Sequence, residues 1–260
     1  MIQLTFGFGA VEAELWRLVF VMTRIGAALL AAPFFGAAAV PMQLRVAMTA
    51  AISVMVCAWV PVQVPPALFS LSGLLAVAAE ALVGLALGFV LQLSFAAPII
   101  AAEQIGGAMG MSIASAADPL SGAHSPALGQ YFTVLLSVIF LALGGHLTWL
   151  RLVVESYQVL PPGAAWLSPD QLHLVVSMGG AMFVAAVAIA LPVTLVLLLV
   201  QFLTGVLSRS APSLNLFALG LPAGVLAGLA ALIVAAPLAA EQMADLSAEA
   251  LTNAAAVIGR

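Results

Sequence analysis

Residues 103–126 read EQIGGAMGMSIASAADPLSGAHSP. Long apolar blocks flank this stretch, so its reading decides how the chain is laid out. It is neither a membrane span nor an ordinary polar loop. It holds Gly106, Gly107, Gly110 and Gly122, the methionines Met109 and Met111, and the pair Asp118-Pro119, with no lysine or arginine. Glycine needs little room and leaves the backbone supple, while unbranched methionine adapts to whatever packs against it. Such a segment packs closely, shifts and still excludes water, which suits a seal better than a linker. Pro119 disfavours helical geometry at Asp118 and sets the far boundary.

Working outward, the composition fixes the class. Hydrophobic residues make up 65% of the 260 and charged residues 6%, against about a quarter charged in a soluble domain. A chain this apolar cannot cover its surface with polar groups, so it is an integral membrane protein. All six basic residues are arginine (Arg17, Arg24, Arg45, Arg151, Arg209, Arg260) and the net charge is −4, which argues against a nucleic-acid partner or an anionic lipid surface. Cys57 is the single cysteine and excludes an internal disulfide. The N-terminal MIQLTFGFGAVEAELWR lacks a basic start and carries Glu12 and Glu14, so it is expected to be retained.

Six apolar blocks stand out, at residues 15–32, 46–64, 67–102, 127–154, 174–208 and 214–240. About 20 helical residues cross a bilayer core, so the first two fit one crossing each. The third and fifth are too long for one plain crossing. Glu80, Gly84 and Gly88 interrupt the third and Pro192 the fifth, so each is either a kinked long helix or a tight hairpin. Short connections marked by proline or glycine join the blocks, and neither a second domain nor a convincing internal repeat is visible. The chain therefore reads as one all-α membrane domain over residues 1–260. The arginines spread almost evenly over alternate connections and set no orientation.

Small residues recur four apart: Gly84 with Gly88, Gly106 with Gly110, and Gly220, Gly224 and Gly228 in series. Helices in lipid associate by close backbone approach, so such spacing marks contact faces, most clearly in the 220–228 series. Arg24 and Glu80 lie well inside apolar blocks, where an unpaired ion costs several kcal/mol. They form either a proton or ion path or a set of buried pairs holding helices or partner subunits in register. With only two deep charges, the structural role is favoured. Arg17, three residues after Glu14, pairs with it on one helix face.

Catalysis finds little support. His124, His146 and His173 are scattered, with no metal-ligand spacing. A serine nucleophile at Ser112 with a histidine base would need a geometry that nothing in the sequence indicates, and serine in a Gly/Ala-rich segment usually serves by its size. No metal site, cofactor or enzymatic activity is expected. A small-solute transporter would need paired broken helices with polar midplane groups, for which Pro192 and Glu80 are a thin basis.

Several stretches together resemble the flagellar biosynthetic FliR family and its relatives in virulence-type secretion systems. They run from Arg24, Pro33-Phe34-Phe35-Gly36, Val40-Pro41 and Arg45 through Glu103-Gln104-Ile105-Gly106, Met109-Gly110, Asp118-Pro119 and Ser121-Gly122. Gly145-His146, Glu155-Ser156, Leu160-Pro161 and Ala190-Leu191-Pro192 follow. Most telling is SRSAPSLNLF at 208–217, containing Arg209 and Pro212, with Gly220-Leu221-Pro222 after it. That ending is closer to the flagellar than to the injectisome branch. Ser213 departs from the glutamine common in the family.

The resemblance implies a subunit of the type III export gate in the bacterial inner membrane, within the flagellar basal body. It would join FliP and FliQ, and the cytoplasmic-gate subunits beyond them, in a channel for unfolded flagellar proteins. Membrane lipid would surround part of it. The segment with Gly106, Gly107, Met109, Gly110, Met111, Asp118 and Pro119 would face the pore and help to plug it. Arg24, Glu80, Arg209, Pro212, Gly220, Gly224 and Gly228 are the expected assembly contacts.

Overall fold

The computed structural model describes residues 10–37, 40–62, 65, 68–111, 126–163, 166–210 and 216–259. Among these, every regular element is an α-helix: α1 (Ala10–Ala31), α2 (Met42–Trp59), α3 (Leu71–Ala108), α4 (Pro126–Ala142), α5 (Gly145–Val159), α6 (Pro169–Ser210) and α7 (Leu216–Val257). The protein is an all-α membrane protein. Four helices are long and apolar enough to cross a bilayer, namely α2, α3, α6 and α7, and the broken pair α4/α5 makes a fifth candidate. Helix α1 carries Glu12, Glu14, Arg17 and Arg24 and does not join that set, although its block length suggested a crossing.

The third and fifth blocks are long helices rather than hairpins. Helix α3 continues for 38 residues through the buried Pro98, and α6 for 42 through Pro192. Each proline removes one backbone donor and leaves the carbonyl four residues earlier without its helical partner. Near Pro192, Thr194 Oγ1 turns inward and donates to the carbonyls of Ala190 and Leu191, at 3.0 and 3.1 Å. The last block also extends beyond its apolar part: α7 runs on to Val257 through Glu241, Asp245 and Glu249. The fourth block breaks instead. Gly144, at φ 71°, occupies the left-handed region that ends one helix and starts the next.

The chain clusters into two compact units. The first comprises residues 1–93, 144–179 and 249–260, and the second residues 94–143 and 180–248. In the first, α1 packs against α2 and α3. Gly84 and Gly88 of α3 let the backbones meet: a Cβ on Gly84 would collide with the Arg24 carbonyl, and one on Gly88 would stand 2.5 Å from that of Ala28. The small-residue spacing on α3 thus marks an actual close approach, to α1. Arg17 forms the expected pair with Glu14 at 3.4 Å and caps α2, donating from Nη2 to the carbonyls of Cys57 and Val60. In the second unit, Phe95 and Phe140 meet edge to face at 5.5 Å.

Candidate functional site

Two constellations gather most of the described candidate residues, one in each unit. In the first, Arg24 of α1 and Glu80 of α3 are both fully buried and form a two-pronged ion pair. Arg24 Nε donates to Glu80 Oε2 at 2.8 Å and Nη2 to Oε1 at 2.9 Å. The guanidinium also donates to Ser156 Oγ at 3.1 Å and to the Leu160 carbonyl at 2.9 Å, and it stacks 4.3 Å above the Tyr157 ring. Glu80 Oε1 accepts the Gly163 N–H at 3.2 Å.

Around this core, Tyr157 OH donates to the Val21 carbonyl at 2.8 Å and Trp149 Nε1 to that of Leu87 at 3.1 Å. Helices α1, α3 and α5 and the turn after α5 are therefore fastened to one pair of charges. Two ions removed from water are costly unless geometry is good and the remaining donors and acceptors are filled. Here the geometry is two-pronged, and every guanidinium nitrogen and both carboxylate oxygens carry a hydrogen bond. The two deep charges pair with each other. Sequence reasoning did not single out Tyr157, which lies under Arg24, or Trp149, which ties the same helix to α3. The signal was available, since Trp149 and Ser156 lie seven positions apart on one face of a half-polar helix.

The second constellation lies where α3 ends. Residues 103–108 are helical, so the near end of the stretch read as a supple segment is the last turn and a half of a long helix. Gly106 is buried in it, whereas Gly107 is exposed, and a Cβ there would meet none of the described residues within 4 Å. The Met109 N–H closes on the Ile105 carbonyl at 2.9 Å and the Gly110 N–H on that of Gly107 at 3.0 Å. Gly110, at φ 84°, then takes the left-handed turn that stops the helix. Met111, half-buried, is the last residue described before position 126. Asp118 and Pro119 lie outside the described residues.

Met109 is 3% exposed and sits against α7. A Cβ on Gly224 would stand 3.1 Å from the Met109 carbonyl, and one on Gly228 would stand 2.6–2.9 Å from Cγ, Cε and Sδ of the Met109 side chain. The hollow that receives this methionine thus exists because those positions lack side chains. From α6, Gln201 Nε2 donates to the Ala108 carbonyl at 2.7 Å and satisfies a helix-end acceptor. Gln201 escaped the sequence reading, although a glutamine within an apolar block was its visible mark.

A Cβ on Gly220 would meet none of the described residues within 4 Å, and Arg209 is exposed in the last turn of α6. Pro212 lies outside the described residues. No group of three or more metal-ligating side chains occurs among the described residues.

Residues 15–250 match the family model described as bacterial export proteins, family 1. The chain belongs to this family. Among its relatives are proteins named flagellar biosynthetic protein FliR. That of Escherichia coli (strain K12) is 30% identical over 237 residues, covering 91% of this chain and 90% of its own length. That of Bacillus subtilis (strain 168) is 31% identical over 246 residues, covering 92% and 94%. The Aquifex aeolicus (strain VF5) protein is 30% identical over 230 residues, covering 87% and 88%. Both constellations fall inside the span matched by the export-protein family.

Proposed function

We propose that this protein is a non-enzymatic subunit of the flagellar type III export channel, forming part of the pore and its closing plug. The observation that carries this reading is the collinear likeness to flagellar biosynthetic proteins over about nine-tenths of both chains. In this reading FliP and FliQ complete the channel in the inner membrane at the flagellar base, and unfolded flagellar proteins pass through it. A separate ATPase and the proton-motive force supply the energy.

The plug role rests on the chemistry of residues 103–126. A channel for unfolded chains is wide when open and must be ion-tight when idle. Small glycines and adaptable methionines fill a pore and move aside, which a rigid wall does not do. The compact, glycine-ended anchor at Met109-Gly110 supports this role by giving the segment a fixed root.

The test is a chromosomal deletion complemented by variants. The parent chain should restore motility and co-purify with FliP and FliQ. A chain shortened between Gly106 and Ala117 should assemble equally well yet raise the permeability of resting cells to small ions severalfold. Failure of the parent to support secretion or to co-purify would remove the channel assignment. A shortened, assembled and ion-tight variant would remove the plug alone.

A further inference from the structure

We propose that Gln201 of α6 and the Gly224–Gly228 hollow of α7 form a latch that holds the end of α3 in its resting position and lets go when the channel opens. The proposal rests on the reading of residues 103–126 as a seal. It concerns how that seal is held shut.

Its ground is the character of the contact. Helix α3 ends at Ala108, and the last carbonyls of a helix need donor partners from outside its own ladder. Gln201, 93 positions further on, supplies the donor at 2.7 Å. One residue beyond, Met109 is buried in a place shaped by two missing side chains. The chain then turns sharply at Gly110.

Every part of this contact can be undone without breaking a helix. It consists of a neutral amide on an exposed side chain, one flexible thioether and a smooth glycine surface. Nothing charged is stranded when it separates. The Arg24–Glu80 pair is the opposite kind of fastening, since parting those ions would leave two buried charges alone. The fold thus uses a permanent clamp on α1, α3 and α5, and a releasable hold on the end of α3 that leads into residues 112–125.

A reversible cross-link tests the idea in the assembled complex. A Cβ on Gly228 would lie 2.6 Å from Met109 Cγ, the atom that a cysteine sulfur replaces. A disulfide sets that Cβ-to-sulfur spacing at about 3 Å. With Cys57→Ala removing the native thiol, Met109→Cys with Gly228→Cys should cross-link in resting cells, lower secretion at least tenfold and recover on reduction. Gln201→Leu, in otherwise parental protein, should leave FliP and FliQ co-purification unchanged and raise resting ion permeability severalfold.

Three results would overturn the latch. They are no cross-link in the assembled complex, normal secretion by the cross-linked form, or a Gln201→Leu complex as ion-tight as the parent. The chain shortened between Gly106 and Ala117 separates the two ideas. If it leaks while Gln201→Leu does not, only the latch fails; if it stays tight, the seal itself is wrong.

Discussion

At the scale of single residues, an arginine without exposure must find partners for a fork of N–H donors, and Arg24 makes four hydrogen bonds to three residues. Removing one ion of a buried pair typically costs about 3–5 kcal/mol, whereas replacing both by apolar groups is often neutral. Glu80→Ala should therefore deplete the chain from membranes and lower the melting temperature of the purified complex. Arg24→Met combined with Glu80→Leu should recover most of that loss and still secrete. A well-assembled double variant that no longer secretes would revive the proton-path reading. Both ions were legible in the sequence as charges inside apolar blocks. Their pairing was not, because 56 positions separate them and α3, apolar on all sides, carries no mark of its register against α1. The glycines divide in the same way. Gly84→Ala drives a Cβ into the Arg24 carbonyl and should cost about 1–3 kcal/mol through forced separation of α1 and α3. Gly107→Ala meets none of the described residues within 4 Å. Thermal unfolding of the two variants should rank them clearly, with Gly84→Ala the less stable.

At the scale of helices, apolar block lengths located the membrane helices but not their ends. A block boundary records where apolar residues stop, whereas a helix stops where its backbone bonding is capped. Thus α3 passes its apolar edge at Ala102 and ends only where Gly110 adopts φ 84°, and α7 passes Ala240 and continues to Val257. The 220–228 glycine series was legible as a contact face, yet its three members differ. Gly224 and Gly228 receive Met109 of the same chain, whereas a Cβ on Gly220 would meet none of the described residues within 4 Å. Gly224→Leu should accordingly disturb the end of α3 in whatever complex still assembles, seen as faster proteolysis near residue 109 than in the parent complex. Gly220→Leu should leave the chain's own stability unchanged. If Gly220→Leu nevertheless abolishes co-purification of FliP or FliQ, a partner helix approaches there, as the spacing suggested. Normal assembly of that variant would confine the contact role to Gly224 and Gly228.

At the scale of the whole molecule, the apolar side chains that remain uncovered determine how the protein exists. On α6, Leu195, Leu198, Leu199, Phe202, Leu203 and Val206 are each at least half exposed. On α7, Ile233 and Val234 are 75% and 82% exposed. Such area is stable against lipid or a partner helix and unstable against water. Lipid alone is an incomplete partner, because helices at membrane depth need proline-freed carbonyls and polar side chains satisfied by protein. The prolines at 98, 192, 222 and 237 and the exposed Gln92, Glu103 and Gln104 of α3 place such groups along the long helices. The chain expressed without its proposed partners, FliP and FliQ, should therefore be degraded in the membrane or emerge aggregated in mild detergent. Co-expression should convert it to a monodisperse complex with a sharper, higher melting transition. Size-exclusion chromatography with light scattering on both preparations gives the comparison. A stable, monodisperse and cooperatively melting monomer from the solitary chain would mean that its exposed helices are built for lipid alone.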